Sequence, residues 1–181
     1  EIIVIDDGST DNTLKILKNI NFDQISIYYI KNQGVEKASN FGFNKAKGKF
    51  VVRIDADDYV DLHFLKNIKP YLQKEDCFVY SNYKQVNTED EVIKNINLPI
   101  FDVQEIYSRG DFLATGTVFP LDIIKKIGLY NIDYKNCGLE NFDLILRLIA
   151  NDIKGYHINK YLFYYRRHSK NLSNIKKNDI I

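Results

Sequence analysis

Asp55, Asp57 and Asp58 put three carboxylates within four positions, directly after the apolar run Phe50, Val51, Val52 and Ile54. The run has the composition of a short strand covered on both faces. Acids crowded together repel one another and make poor strand formers, so folding alone gives little reason for them. A hard divalent cation gives one, because Mg²⁺ or Mn²⁺ takes oxygen ligands and bridges carboxylates to substrate phosphates. Ligands of open α/β sheets bind beyond the carboxyl ends of strands, where this cluster falls. The competing reading is an Asp-rich turn, with Asp61 capping the helix LHFLKNIKPYL.

A second cluster repeats the pattern. The strand Glu1–Ile5 ends in Asp6 and Asp7, followed by Gly8, Ser9, Thr10 and Asp11. One cluster suits hydrogen bonding to a base or ribose and the other a metal on a diphosphate; turn and capping chemistry is the alternative for Asp6 and Asp7.

The elements that must position these groups alternate. TLKILKNI is an amphipathic helix capped by Ser9 or Asp11, Gln24–Ile30 a strand, and Val35–Lys47 a helix stopped by Gly48 at C′. After the acid-tipped strand, Phe64–Leu72 reads as a helix broken near Pro70, and Cys77–Ser81 as another strand. Such alternation predicts a mostly parallel sheet flanked by helices. Beyond Tyr83 the texture changes. Lys84–Leu98 reads as a hairpin, Asp102–Tyr107 as a short helix, and Gly110–Phe119 as loop and strand. Pro120 opens a helix ending at Gly128, Leu139–Asn151 is the strongest helix, and Tyr161–Arg166 is a strand before a polar tail. One domain in two halves is expected: residues 1–81, 82–170, and a tail of 171–181.

Composition narrows the class. The 181 residues are 45% hydrophobic and 27% charged with net charge +1, which suits one folded domain and gives no electrostatic case for nucleic acid. No apolar run reaches the roughly 20 residues that span a bilayer. Membrane contact is therefore expected only through segments outside this sequence. The two cysteines, Cys77 and Cys137, lack metal-ligand spacing, and a reducing, cytoplasmic setting is expected, with the inner membrane face as a peripheral location.

IIVIDDGSTDNT followed by KNQGVEKASNFGFNKAKGKFVVRIDADD resembles the nucleotide-binding half of family-2 glycosyltransferases of the GT-A fold. The anchors are Asp6, Asp7, Gly8, Ser9, Asn32, Gly34, Ala38, Asn40, Gly42, Ala46, Gly48, Asp55 and Asp57. The similarity continues through GLENFDLILRL and YLFYYRRH. It implies a Rossmann-like nucleotide half, a mixed acceptor half, and an inverting, metal-dependent sugar transfer from a nucleotide-sugar donor, expected to be UDP-linked. The acceptor would be a glycan or lipid-linked hydroxyl in polysaccharide or cell-envelope synthesis. By resemblance Asp6 and Asp7 contact the base, Asp55 lies near the ribose, and Asp57 binds Mn²⁺ or Mg²⁺ with Asp55 and His168 as further candidate ligands. Lys37 is placed for base or phosphate contact, and Ser9, Asn32, Gly34 and Asn40 complete the donor side. Thr115 and Gly116 would line the acceptor groove, and Arg147 would reach the diphosphate or pair with Asp143.

At the base the chain departs from the family pattern. Family members carry Glu-Asp at a helix start, with the Asp as base; this chain has Glu140-Asn141, and an amide cannot accept the proton. Glu140 is the expected base and Asp143 its substitute. The rival readings are a donor-binding, non-catalytic homologue and a sugar nucleotidyltransferase. Family members also open with a strand and turn ahead of the point where this chain begins. The resemblance therefore implies a fragment lacking them, expected to be unstable or inactive alone.

Overall fold

The computed structural model describes residues 1–73, 76–109, 116–133, 140–169 and 171. The first βαβ unit forms as the pattern predicts: β1 (Ile2–Asp6), α1 (Thr13–Leu17), β2 (Ile25–Tyr29) and α2 (Val35–Lys45), with β1 and β2 parallel. Asp11 accepts a hydrogen bond from the Thr13 amide at 2.9 Å, so it supports the start of α1 although Asn12 holds the cap position. Gly48 does not act as a left-handed helix stop. The α2 cap is the extended Ala46, and the Lys47 and Gly48 amides donate instead to the Glu1 carboxylate at 2.7 and 3.1 Å.

The remaining strands are β3 (Phe50–Val52), β4 (Tyr59–Val60), β5 (Cys77–Val86), β6 (Val92–Ile96), β7 (Val118–Pro120) and β8 (Lys154–Arg166). They form a six-stranded sheet ordered β3-β7-β5-β8-β4, with β6 paired to β5. This larger sheet is mixed rather than mostly parallel: among the described residues β5–β8 is its one parallel pair. Simple alternation suggests only βαβ crossovers. In the fold, β7 inserts antiparallel between β3 and β5, and the hairpin β5–β6 reverses the chain. The acid-tipped β3 thereby becomes an edge strand of this sheet.

β5 explains how the two halves become one body. It continues through position 81 and pairs with β8 from Cys77↔Lys154 to Val86↔Arg166, with register shifts between Ser81 and Tyr83. Alternate β5 residues face opposite ways, as strand geometry requires. Phe78 and Tyr80 enter a cluster with Phe43, Phe119, Ile124, Tyr130, Leu144, Ile145 and Leu148. Cys77 and Val79 enter a second cluster with Phe64, Ile68, Val118, Ile158 and Leu162.

Four further helices cover these faces: α3 (Phe64–Ile68), α4 (Val103–Arg109), α5 (Leu121–Lys126) and α6 (Glu140–Ala150). Pro70 shortens α3 as expected, and the chain continues as a single 3₁₀ turn over Lys69–Tyr71. Asp61 supports this helix through the His63 amide at 2.8 Å rather than from the cap position. α5 ends at Gly128, whose φ of +105° suits glycine.

Candidate active site

β3 ends at Val52, and the next residue, Arg53, carries the site's central side chain. Its Nε and Nη2 donate to the two oxygens of Asp55 at 2.7 and 2.9 Å, the bidentate geometry that a planar guanidinium favours. Its Nη1 donates to Glu140 Oε1 at 3.0 Å across 87 residues of sequence. Only 12% of the Arg53 side chain and 9% of Glu140 are exposed. The Tyr130 ring lies 5.7 Å from the guanidinium, and the Tyr130 hydroxyl donates to Asn141 Oδ1 at 2.7 Å. Burial pushes the Tyr130 phenol up to about 12, so it is a donor at neutral pH. Glu140 Oε2 is buried and has no hydrogen-bond partner among the described residues.

Arg53 lies inside the apolar run, where the sequence carries a readable signal for it. An arginine inside a strand-like hydrophobic segment is rarely buried unless paired, and carboxylates follow two and four positions later. Its pairing gives Asp55 a structural partner that the spacing alone does not announce: both carboxylate oxygens accept from a guanidinium two residues back.

Asp57 and His168 do meet. Asp57 Oδ2 lies 2.9 Å from His168 Nε2, and buried Asn171 braces the loop by accepting from the His168 amide at 2.6 Å and donating to the Arg166 carbonyl at 2.9 Å. Arg166 fixes the acid turn from the other side, its amide donating to Asp58 Oδ1 and its Nε to the Asp57 carbonyl, each at 2.9 Å. β8 thus carries His168 back over the DADD turn. Two residues, and not the expected three, face each other here; among the described residues no cluster of three or more His, Cys, Asp or Glu is poised for a metal. One carboxylate oxygen and one imidazole nitrogen are donor types that Mn²⁺ accepts more readily than Mg²⁺ does.

Asp6 and Asp7 form their own network at the end of β1. Asp6 is 4% exposed and accepts from the Ser9 amide at 2.9 Å. Asp7 accepts from the Gln33 and Gly34 amides, both at 2.9 Å, tying β1 to the start of α2. Gly34 has φ +96°, and Gly8 (φ +77°) packs so closely that a Cβ would sit 2.9 Å from the Asn32 nitrogen. Asn32 and Lys37 are exposed beside this turn.

Other expected contacts have structural occupations. Asn40 donates to the Tyr130 carbonyl at 2.8 Å and accepts from the Tyr130 amide at 3.0 Å, so its amide braces the loop beneath Arg53. Arg147 donates to Asp143 Oδ2 at 2.6 Å and to the Ile127 and Leu129 carbonyls at 2.7 and 2.5 Å. It closes the end of α5 and engages Asp143 through Oδ2 alone, whereas Glu140 Oε2 is buried without a partner among the described residues. Gly116 donates its amide to the Arg53 carbonyl at 2.9 Å and lines a small cleft with Tyr80, Ser81, Tyr83, Thr117 and Phe163. Thr115 lies outside the described residues.

The sequence profile of glycosyl transferase family 2 matches residues 1–126. The chain is 30% identical over 190 residues to the Escherichia coli UDP-Glc:alpha-D-GlcNAc-diphosphoundecaprenol beta-1,3-glucosyltransferase WfaP, an alignment covering 100% of this chain and 71% of WfaP. It is 29% identical to the chondroitin synthase of Pasteurella multocida, covering 100% of this chain and 19% of that protein. In fold it resembles S. aureus TarS 1-349 in complex with UDP-GlcNAc, with TM-score 0.75, 20% identity, 96% of this chain and 51% of that chain. It also resembles GalNAc-T7 with UDP, GalNAc and Mn²⁺, with TM-score 0.72, 16% identity, 94% of this chain and 38% of that chain. This chain thus spans about half of the TarS chain, and the architecture shared with these neighbours is that of GT-A glycosyltransferases. With the profile covering more than two thirds of its length, the chain belongs to glycosyl transferase family 2.

Proposed function

We propose that the protein transfers a sugar with inversion from a UDP-linked donor to a hydroxyl of a glycan or lipid-linked acceptor, with Glu140 as the base. The observation that carries the assignment of the base is the Glu140 carboxylate: Oε1 is held by Arg53 at 3.0 Å, while buried Oε2 has no partner among the described residues. A buried carboxylate oxygen without a hydrogen bond is costly, and a substrate hydroxyl donating to it would relieve the cost. In the reaction the acceptor O–H donates to Oε2, and the acceptor oxygen attacks the anomeric carbon. The bond to the diphosphate breaks, and the proton stays on Glu140.

The donor side uses Asp6, Asp7, Ser9, Asn32, Gly34 and Lys37 around the β1–α1 and β2–α2 turns, with Asp55 toward the ribose. Asp57 and His168 would hold Mn²⁺ or Mg²⁺, which neutralises charge on the departing diphosphate. UDP as the nucleotide is supported by WfaP, named for UDP-Glc, and by the UDP-GlcNAc and UDP complexes of the structural neighbours. A lipid-linked acceptor follows the diphosphoundecaprenol in the WfaP name and would bring the protein to the cytoplasmic face of the membrane. No described helix is long and apolar enough to cross a membrane.

Asn141 favours one second reading, a homologue that binds donor without transfer, because its carbonyl is already engaged by the Tyr130 hydroxyl. Nucleoside diphosphate release across a panel of sugar donors, with Mn²⁺ and with chelator, separates the two. Metal-dependent release that Glu140→Gln lowers by about 10²–10⁴-fold supports transfer with this base. UDP binding with no release from any donor supports the second reading, and release unaffected by Glu140→Gln refutes the base.

A further inference from the structure

The buried guanidinium of Arg53 joins two carboxylates that the proposed reaction uses for different purposes. Its Nε and Nη2 hold Asp55 on the donor side, and its Nη1 holds Glu140 on the acceptor side. A guanidinium is planar, and its N–H directions are set by one rigid fork, so the orientations of its two partners are coupled. Around it the supports converge. The Arg53 carbonyl accepts from the Gly116 amide at 2.9 Å, the Tyr130 ring lies 5.7 Å from the guanidinium, and Asn40 fixes the Tyr130 backbone. Three charged groups are then clamped in one mostly buried spot, and among the described residues Glu140 Oε2 is left unpartnered.

Building on the proposed transfer reaction, we infer that Arg53 is a positioning residue that orients Glu140 Oε2 toward the acceptor and couples that orientation to the donor-side Asp55. It holds Oε1 and leaves the neighbouring oxygen to take the proton. It does not itself exchange a proton, since an arginine stays charged in proteins. Lysine cannot reproduce the role, because its ammonium is a point donor on a flexible stem and not a fork that spans two carboxylates.

The test is a double-mutant cycle on the full protein, using the donor that gives the fastest nucleoside diphosphate release. The variants are Arg53→Lys, Glu140→Gln and the pair. Arg53→Lys alone is expected to lower kcat by about tenfold or more, with KM for the donor changing less than kcat. In the Glu140→Gln background the same change is expected to cost less than about twofold, because residues acting as one unit are not additive. An equal loss in both backgrounds overturns the inference and leaves Arg53 a structural residue.

Arg53→Gln, which keeps one donor for Glu140, replaces the lysine variant if that one lacks a cooperative melt. A second cycle needs no turnover. Urea stability of Asp55→Asn, Glu140→Gln and their pair should show coupling that disappears once residue 53 is Lys; additive stabilities with Arg53 present overturn the link. If wild type turns over no donor, the proposed function fails, and the stability cycle still decides the link.

Discussion

Asn40 sits on α2, far in sequence from the residue it holds, and its replacement separates a strut from a ligand. Its side chain donates to the Tyr130 carbonyl at 2.8 Å and accepts from the Tyr130 amide at 3.0 Å. Tyr130 is 2% exposed, so Asn40→Ala strands two main-chain groups in a place water does not easily reach. An unsatisfied buried polar group costs about 1–3 kcal/mol, which puts the variant about 2–6 kcal/mol below wild type. For a chain of this size each kcal/mol moves Tm by about 2–4 °C, so a fall of roughly 4–24 °C is expected. Asn40→Asp keeps the acceptor but sets an oxygen against the Tyr130 carbonyl, and should recover only part of the loss. The assays are circular dichroism melts and urea titrations, read beside the Kd for UDP with Mn²⁺. A Tm within about 2 °C of wild type, with UDP binding weakened, would refute the strut and return Asn40 to the donor contacts.

Three other expectations follow from individual contacts. Gly116→Ala should destabilise by about 2–5 kcal/mol, because its φ is +92° and a Cβ would lie 2.7 Å from the Phe163 ring; chemical denaturation checks it. Replacing His168 by Asn should weaken Mn²⁺ binding in the presence of UDP by about tenfold or more, read by Mn²⁺ electron paramagnetic resonance; unchanged binding would remove His168 from the cation site. Burial lowers the pKa of His157, whose Nε2 lies 2.8 Å from the Asn82 carbonyl oxygen, so the unfolded chain binds the proton more tightly. Stability should therefore fall as pH drops below the unfolded value of about 6.5, levelling off below the folded pKa, and His157→Gln should flatten that slope.

Much of the donor half was legible because its signals are local. β1, β2 and α2 follow from apolar runs and helical spacing, and Asp6 acts within the turn chemistry its neighbours announce. Gly34 and Gly128 mark positive-φ positions that a sequence can declare by glycine alone. Gly48 shows where such reasoning fails: nothing local says that the Glu1 carboxylate would satisfy its amide. The partner of Asp55 was equally hidden, since a carboxylate beside a metal-type motif looks alike whether or not an arginine pairs with it.

The class of the chain, the positions of its acid-tipped strands and a glutamate at the start of α6 were legible in the sequence alone. Tertiary structure decided the rest. Sheet direction depends on which strand inserts where, and β7 entering antiparallel beside β3 is a long-range outcome. The meetings of Asp57 with His168 and of Arg53 with Glu140 span 111 and 87 residues of sequence. No periodicity encodes such distances. They arise because β5 and β8 pair along their length and α6 packs its buried Leu144, Ile145 and Leu148 into the core, which brings a helix end and a strand end to one place. Local propensity sets what each segment becomes, whereas burial of the shared core sets which carboxylates become neighbours.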